Sequence, residues 1–475
     1  MKLIREQGEG HELLAAFEDC LRREGAELFQ RRRTITVGRA PARIDCMGGI
    51  ADYSGSVVFE GPLREAAVVA FQQRDDALLR ALSISSDRDD PPRRAEHDLR
   101  AFRARGGRMK DYAEVGALLA RNAGAAWAAN MFGAVAVMEN EGLHRFERGA
   151  NVLLYRDLPL GAGVGSSAAM QVAAMFAIVA AAGIDLPGLR LAALAQTVEN
   201  RVVGAPCGIM DQVTSALGEA GRLLALRCQP CEVLGQHELP EGVKVFGINS
   251  RVHHSVAGTA YAAARVSAFM GLKVILTEKR RRGEPVGEAD HYLCNIAPRD
   301  YVERFRPLIP VEMKGADFLR TFGETTDPVT HVEPDAAYRV RAGTDHPVFE
   351  NQRVRAFIEC MARARAGDRT ALVEAGGLMC ASHWSYGWNC GLGCDETDLI
   401  AWLVRERGPD QGLYGARVSG GGSGGTVAIL ADADAAGAVR EVAAQYEART
   451  GRRPDVFDGT GPGAYAFGPR RYRLE

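Results

Sequence analysis

The sequence predicts a mixed α and β protein with two lobes, and three observations support this fold class. The chain has 475 residues, enough to enclose more than one hydrophobic core. Its 47% hydrophobic and 25% charged residues are ordinary for a globular protein. Short apolar runs of strand length alternate with longer segments of helical periodicity along the chain. We place the boundary near residue 245, which gives predicted lobes of residues 1–245 and 246–475.

The first predicted lobe alternates strands and helices, and glycines and prolines mark many of the element ends. The segment 38–55 is rich in these residues and is predicted to interrupt the first strand, whereas the charged segment 85–108 is predicted to be an exposed connection. Gly204 and Pro206 are typical of a helix end. The predicted strands are 34–37, 56–59, 66–71, 152–155 and 223–226, and the predicted helices are 127–140, 168–182, 189–203 and one that begins near residue 209.

The second predicted lobe contains an irregular, proline-containing segment at 283–346 and ends in a helix. The basic run 279–282 has no interleaved aromatic residues, which favours a solvated helix end over a nucleic-acid site. The predicted strands are 244–248 and 427–430, and the predicted helices are 261–275, 348–366 and 433–450.

Charge and cysteine content limit the partners and the compartment. The formal net charge of −2 and the pI of about 6.6 do not indicate nucleic acid or an anionic membrane as a partner. The charged segment 1–33 lacks the apolar core of a signal peptide, and the alanine-rich run 168–184 is too short for a membrane span. Ten cysteines in a chain of this length indicate free thiols. We therefore expect a cytoplasmic protein.

Two cysteine pairs leave a metal site open as an alternative. Cys228 and Cys231, with Cys390 and Cys394, could together supply four zinc ligands. The first pair falls in a strand-like segment, and no histidine or glycine knuckle accompanies it. Buried thiols are the favoured interpretation.

A glycine–serine loop separates a predicted strand from an apolar helix. It consists of Gly161, Ala162, Gly163, Val164, Gly165, Ser166 and Ser167. Glycines allow backbone amides to converge on an anion, and the N-terminus of the following helix adds free amides. The serine hydroxyls suit phosphate oxygens or a magnesium ion. The pattern predicts a phosphate-binding loop, with a flexible connection as the alternative.

The same glycines permit a second functional interpretation, a dinucleotide-binding fold with Asp185 as the ribose ligand. Asp185 does not end a convincing second strand, however. The loop also lacks the Gly-Lys-Ser/Thr ending of a Walker A loop, and the sequence has no protein-kinase signature.

Two further segments have unusual patterns. The breaker-rich segment 204–212 places Asp211 on the first turn of a helix, where a carboxylate can also simply complement the helix dipole. Glu199 lies one helix upstream, where a surface role is ordinary. The segment 419–426, Ser-Gly-Gly-Gly-Ser-Gly-Gly-Thr, implies close approach to another group or a mobile linker. A strand directly after it argues against the linker.

Together these segments resemble the GHMP kinase superfamily. Residues 40–48 and 204–211 resemble the galactokinase signature and catalytic segments, and residues 249–255, followed by Tyr261, resemble the galactokinase stretch whose tyrosine lies at the sugar. Similarity to the kinase part of plant L-arabinokinases is found at residues 47–56, 290–298, 383–386 and 390–393. The resemblance extends over about residues 38–468.

The resemblance implies a ribosomal-S5-like N-terminal lobe and a ferredoxin-like C-terminal lobe, with the site between them. It also implies a kinase that uses ATP and Mg²⁺ to phosphorylate the anomeric hydroxyl of L-arabinose, with galactose or a uronic acid as alternative substrates. Some galactokinase-like proteins are sugar sensors without turnover, but these tend to have damaged phosphate loops. Oligomeric state, regulation and protein partners are left open.

The resemblance also assigns roles to residues at the reaction centre. Asp211 would orient and deprotonate the anomeric hydroxyl, and Arg43 would stabilise the developing negative charge. The loop 161–167 would bind the ATP phosphates, and Trp127 is a candidate for the adenine pocket. The segment 420–425 would close the site from the second lobe.

Metal and sugar ligands follow from the same resemblance. Ser167 and Glu199 would hold Mg²⁺, with Ser166 as the alternative to Ser167. The residues implied at the sugar are Asp52, Gly49, Tyr261, Cys207 and Gly208.

Gly49 carries the substrate prediction. Where galactokinases have Glu-His-Thr before the sugar-binding aspartate, this chain has Gly49, Ile50 and Ala51 before Asp52. A pentose lacks the exocyclic hydroxymethyl, so a buried glutamate here would lose its partner at a cost of about 1–3 kcal/mol. We therefore predict that Gly49 faces the sugar and that Gly49→Glu would shift preference from arabinose toward galactose.

Overall fold

A computed structural model of the chain describes residues 3–7, 11–87, 89–253 and 259–475, and gives only the backbone of residues 7 and 259. His254 and Ser255, which belong to the galactokinase-like segment, therefore lie outside the described residues.

Strands and helices alternate along the described chain. The strands are β1 (Leu3–Gln7), β2 (Ile35–Met47), β3 (Val57–Gln73), β4 (Leu78–Ser85), β5 (Arg93–Asp98), β6 (Ala150–Arg156), β7 (Arg222–Arg227), β8 (Glu232–Glu238), β9 (Val243–Asn249), β10 (Met313–Lys314), β11 (Ala337–Tyr338), β12 (Leu413–Val418), β13 (Thr426–Asp432), β14 (Asp455–Phe457) and β15 (Arg470–Leu474). The helices are α1 (Ala15–Leu28), α2 (Tyr112–Ala120), α3 (Ala129–Asn140), α4 (Ser166–Ala182), α5 (Gly188–Thr197), α6 (Met210–Leu217), α7 (Thr259–Arg281), α8 (Pro298–Asp300), α9 (Gly315–Phe322), α10 (Val340–Arg365), α11 (Thr370–Ser385), α12 (Asp395–Arg407), α13 (Ala436–Thr450) and α14 (Ala464–Phe467).

The larger sheet of the described chain has nine strands in the order β1-β15-β2-β3-β6-β4-β5, with β7 paired to β3 and β8 paired to β7. All pairs are antiparallel except β4 with β6. Helix α1 packs on one face of this sheet, and α4 packs on the other face against β2 and β3. The alanine-rich α4 is a buried helix, as the sequence predicts.

Two predictions in the first lobe are corrected by the sheet. β2 runs through the segment that was expected to interrupt it, because Pro41 lies at a register shift between Pro41 and Arg43. Bulges accept a proline within a sheet and redirect the side chains beside it. The predicted exposed connection at 85–108 contains β5, whose charged residues suit an edge strand.

A smaller antiparallel sheet, in the order β12-β13-β9-β14, forms the centre of the second lobe. Helices α12 and α13 bury an apolar core against it. The boundary predicted at residue 245 falls inside β9, and β15 returns to the larger sheet. The two lobes therefore do not divide as residues 1–245 and 246–475.

Helix α7 is the core helix of the region between the sheets. Its portion Ala260–Arg281 is long and apolar enough to cross a membrane, but 72% of its apolar window is buried inside the protein. It packs against α10, and together they line the wall behind the segment that joins β2 to β3. The mixed α and β fold predicted from the sequence is confirmed.

Candidate active site

A cavity of about 300 Å³ lies where the glycine–serine loop, β2, α6 and α7 meet the loop between β12 and β13. The predicted site residues that line it are Arg43, Asp52, Gly161, Gly163, Gly165, Ser166, Ser167, Glu199, Cys207, Gly208, Asp211 and Tyr261. The structure thus brings most of the predicted site together. Gly49, Ala162, Val164 and Trp127 are outside this lining.

The glycine–serine loop alternates glycines that line the cavity with small apolar residues that are buried. Gly161, Gly163 and Gly165 have φ values of 68°, 69° and 69°, in the left-handed region that side chains disfavour. Ala162 and Val164 between them are buried in the main core. The two apolar side chains therefore fix the loop, while its glycine backbone lines the cavity.

Helix α4 begins at the end of this loop without a side-chain cap, because its N-cap residue is Gly165. The first amides of a helix have no intrahelical partner, and the helix dipole favours an anion beside them. The hydroxyls of Ser166 and Ser167 belong to the same cavity wall. This end of α4 has the donors that a phosphate group requires.

The loop between β12 and β13 lies directly on the glycine–serine loop. A Cβ at Gly420 would lie 2.6 Å from the Gly163 carbonyl oxygen, and one at Gly425 would lie 2.9 Å from that of Ala162. Thr426 Oγ1 donates to the same Ala162 oxygen at 2.7 Å. The two backbones approach this closely because both loops are built of glycine.

Arg43 and Asp211 form a bidentate ion pair in the cavity wall. Arg43 Nε and Nη2 donate to Asp211 Oδ1 and Oδ2 at 2.9 and 2.7 Å, and Nη1 donates to the Gly163 oxygen at 2.8 Å. Although burial acts to lower it, the charges of Asp211 and Glu60 raise the pKa of Arg43 above its ordinary value. The Asp211 side chain is 21% exposed and that of Arg43 only 3%, so Asp211 is the accessible member of the pair.

Asp52 supplies a second carboxylate to the cavity. Burial raises its pKa to about 6, with a contribution from the Asp211 charge and opposition from Arg265. Among the described residues, Asp52 Oδ1 has no hydrogen-bond partner. A Cβ at Gly208 would lie 1.5 Å from Asp52 Oδ2, so the glycine leaves the space that the carboxylate occupies. Such a buried acceptor suits a ligand hydroxyl.

Glu199 lies on a π-helical turn, Val198–Val203, that follows α5. Ser167 Oγ donates to Glu199 Oε1 at 2.5 Å, and Gln212 Nε2 donates to Oε2 at 2.7 Å. Burial raises the pKa of Glu199 to about 7, although the Ser167 hydrogen bond opposes this. Carboxylate and hydroxyl oxygens are the ligand types of Mg²⁺, so Glu199 and Ser167 fit a divalent cation beside the glycine–serine loop.

Tyr261 and Cys207 form the wall on the side of α7. The Tyr261 ring packs edge to face on Tyr53, with ring centroids 6.3 Å apart. Arg265 lies 5.2 Å from the Tyr53 ring centroid and donates to the Cys207 carbonyl oxygen at 3.5 Å. Two hydrogen bonds to Asp327, of 2.7 and 2.8 Å, hold Arg265 in place. These contacts fix the position of the wall.

The structure corrects the placement of Gly49. A Cβ at this residue would lie 2.1 Å from the Tyr386 hydroxyl oxygen and 2.3 Å from Asp45 Oδ2, behind the cavity wall. Asp45 is itself fully buried in an ion pair with Arg417 at 2.8 Å. The prediction that a side chain at position 49 would face the sugar is therefore wrong. The neighbouring Ile50 lines the cavity instead.

We expect Gly49→Glu to destabilise the protein rather than alter its substrate preference. The new carboxylate would be buried against Asp45, and an unpaired buried charge costs about 3–5 kcal/mol. Thermal unfolding should show a lowered Tm, and kcat/KM should fall alike for arabinose and galactose. Gly377→Glu is the matched control, because Gly377 is exposed on α11 and nothing lies within 4 Å of its Cβ position. A stable Gly49→Glu protein with a changed substrate ratio would contradict this placement.

Trp127 lies outside the cavity lining. It is half-buried on the 3₁₀ turn Ala123–Ala128 and packs against the main core. Asn130, which donates Nδ2 to the Trp127 carbonyl oxygen at 3.1 Å, lines the cavity instead. The role of Trp127 at an adenine base stays a prediction.

Sequence reasoning missed several residues of the site. Ile50 lies in the segment 47–56, but no pattern there assigns it to the cavity. Its φ of 60°, which is strained for a β-branched residue, is visible only in the structure. Gln212 follows Asp211 directly, but its contact with Glu199 becomes visible only once α6 is placed against the turn that carries Glu199. Glu60, which contacts Arg43, lies on β3 without any motif around it.

Comparison with known proteins agrees with this geometry. The GHMP kinases N terminal domain matches residues 129–219, and the GHMP kinases C terminal domain matches residues 370–448. The chain is 37% identical to L-arabinokinase of Arabidopsis thaliana over 95% of its own length, but spans about half of that relative, 48%. It is 29% identical to galactokinase of Chloroflexus aggregans, over 88% of this chain and 89% of that protein.

Solved structures share the fold. The Lactococcus lactis galactokinase complexed with galactose matches with a TM-score of 0.71 at 19% identity, over 94% of this chain and 98% of that one. The mevalonate kinase of Methanococcus jannaschii matches with a TM-score of 0.51 at 11% identity, over 92% and 98%. The matched N-terminal GHMP kinase domain contains the glycine–serine loop and Asp211, and the matched C-terminal GHMP kinase domain contains the loop between β12 and β13.

Proposed function

We propose that this protein is an ATP-dependent sugar kinase that phosphorylates the anomeric hydroxyl of L-arabinose. One observation carries the proposal: the phosphate-type loop ends directly against the Arg43–Asp211 pair. A Cβ at Gly165 would lie 3.0 Å from Asp211 Oδ2 and 3.4 Å from Arg43 Cγ. A phosphate on the α4 N-terminus and a hydroxyl on Asp211 would therefore be neighbours, as phosphoryl transfer requires.

On the acceptor side, Asp211 would bind the anomeric hydroxyl. Each carboxylate oxygen has two lone pairs, so Asp211 can accept the hydroxyl proton while it keeps its hydrogen bonds to Arg43. If the transition state is loose, the position of Asp211 matters more than its basicity. Arg43 would offset the negative charge that develops between the two substrates. Asp52 would accept a ring hydroxyl at its Oδ1, and Tyr261 would pack at the far edge of the sugar.

On the nucleotide side, the α4 N-terminus and the backbone of the glycine–serine loop would bind the phosphates. Ser167 and Glu199 would hold Mg²⁺, and their mutual hydrogen bond favours Ser167 over Ser166 as the ligand. When bound, Mg²⁺ neutralises charge on the phosphate oxygens. The loop between β12 and β13 would exclude water from the cavity.

Ile50 supports a pentose as the acceptor. Its apolar side chain lines the cavity two residues before Asp52, at the position where galactokinases carry histidine. An exocyclic hydroxymethyl beside Ile50 would lose hydrogen bonds to water without a replacement, at a cost of about 1–3 kcal/mol. The similarity to L-arabinokinase points the same way. Galactose is the second candidate, because galactokinases match most of this chain.

The proposal predicts that Mg-ATP turnover is greatest with L-arabinose. ATP consumption would be measured against arabinose, galactose, galacturonate, glucuronate and fucose, with product identified by loss of reducing-end chemistry. The arabinose product should be a 1-phosphate. Higher kcat/KM for galactose or a uronate would move the assignment to that sugar. An absence of turnover with every sugar, together with sugar binding, would favour a sensor.

A further inference from the structure

Glu60 is a fully buried carboxylate behind the reaction centre, outside the cavity lining. It lies on β3, directly opposite Asp45 of β2 in the sheet register. Its Oε1 is 3.0 Å from Arg43 Nε. The same Nε donates to Asp211 Oδ1 at 2.9 Å, and Glu60 Oε1, although it lies beside this nitrogen, accepts no hydrogen bond within the described residues.

The other oxygen of Glu60 ties it to the helix that carries Asp211. Thr214 Oγ1 donates to Glu60 Oε2 at 2.6 Å, and Thr214 follows Asp211 by three residues on α6. Residues three apart share a helix face. Asp211, Arg43, Glu60 and Thr214 therefore form a closed ring that joins α6 to β2 and β3.

Burial raises the pKa of Glu60 above its ordinary value, while the Arg43 charge and the Thr214 hydrogen bond oppose this shift. Within the described residues, Glu60 Oε2 accepts from Thr214, whereas Oε1 accepts no hydrogen bond and lies 3.0 Å from Arg43 Nε. Removing its charge would leave Arg43 dependent on Asp211 as its carboxylate partner at Nε.

We propose that Glu60 is a positioning residue that holds Arg43 by its Nε while Asp211 engages the acceptor hydroxyl. Asp211 must give part of its electron density to the substrate proton during transfer, which weakens its hydrogen bonds to Arg43. Glu60 is then the acceptor that keeps the guanidinium oriented toward the transferred group. No bond is made or broken at Glu60, and no proton leaves it. This inference rests on the proposed kinase reaction.

Glu60→Gln tests the inference, because glutamine keeps the size and can still contact Thr214 but lacks the charge. We expect kcat to fall about tenfold or more, with KM for sugar and ATP changed by less than about threefold, since both substrates contact other residues. Glu60→Asp, which keeps the charge, should recover part of kcat. Adding Glu60→Gln to Asp211→Asn should lower kcat little further, because both act through one centre.

Ser215→Ala is the matched control. Ser215 Oγ donates to the Pro41 oxygen at 2.7 Å, so it also ties α6 to β2 in a buried position, through a hydrogen bond that does not involve Arg43. It should lower Tm and leave kcat within about twofold. A Glu60→Gln protein with wild-type kcat, or a Ser215→Ala protein with the same loss of kcat, would overturn the inference while leaving the kinase proposal intact. A wild-type protein without turnover would overturn both, and is recognised before any variant is made.

Discussion

Asp211→Asn is expected to lower kcat by about 10²- to 10⁴-fold, the range attributed to a positioned general base. Asparagine keeps the size of the side chain but loses the negative charge that would accept the anomeric proton. In the structure both oxygens of Asp211 accept from Arg43, so the amide nitrogen would also face a donor. Single-turnover rates, with sugar and nucleotide binding measured by calorimetry, separate the loss of chemistry from the loss of binding.

Asp345→Asn is the matched control for this variant. Asp345 forms a comparable bidentate pair with Arg306, at 2.8 and 2.9 Å, outside the cavity. Asp345 also accepts from the Tyr301 hydroxyl at 2.7 Å, so Asp345→Asn reports how much stability is lost when a buried carboxylate away from the cavity loses its charge. Near-normal kcat in a folded Asp211→Asn protein would mean that Asp211 serves the end of α6 and not the reaction.

Gly208→Ala is expected to reduce kcat/KM for the sugar roughly 10- to 100-fold, with little change in nucleotide binding. The new methyl group would occupy the place of Asp52 Oδ2, since its ideal position is 1.5 Å away. Under the proposed function, displacing Asp52 would remove hydrogen bonds from the sugar to a charged group, each contributing about 1.5–3 kcal/mol. Steady-state kinetics with sugar and ATP varied separately would show the difference.

A double-mutant cycle decides whether the effect runs through Asp52. In an Asp52→Ala background, Gly208→Ala should have little further effect on the sugar, because the carboxylate that it displaces is gone. Gly437→Ala, at an exposed position with open space around it, controls for a general effect of glycine replacement. Equal losses of Gly208→Ala in both backgrounds would show that Gly208 acts independently of Asp52.

The parts of the site that could be predicted from sequence are those whose chemistry is local. Three glycines in alternate positions with serines behind them specify a turn and a helix N-terminus whatever surrounds them. Gly161, Gly163 and Gly165 adopt left-handed backbone for this reason. Asp211 was placed on the first turn of a helix because glycine and proline precede it, and α6 begins at Met210.

Features that depend on tertiary contacts were missed or misplaced. The direction of a Cβ at Gly49 depends on how the chain after β2 packs against Tyr386. This tertiary contact cannot be read from any local sequence pattern. The sequence predicts that the first strand ends at residue 37, before the segment 38–55. The bulge that accommodates Pro41 and lets β2 continue exists only in a paired strand. Glu60 belongs to no recognisable motif, and its relation to the site is apparent only from its contact with Arg43 on the neighbouring strand.

The position of β15 in the larger sheet bears on the order in which the candidate active site is assembled during synthesis. β15 lies between β1 and β2, and its residues Tyr472 and Leu474 are fully buried. As the chain leaves the ribosome, β2 gains this neighbour only after the rest of the described protein has been made. The larger sheet, which carries Arg43 on β2 and against which α4 packs, is therefore completed last. A fragment that ended at residue 245 would contain the glycine–serine loop and Asp211 but would leave one edge of β2 unpaired.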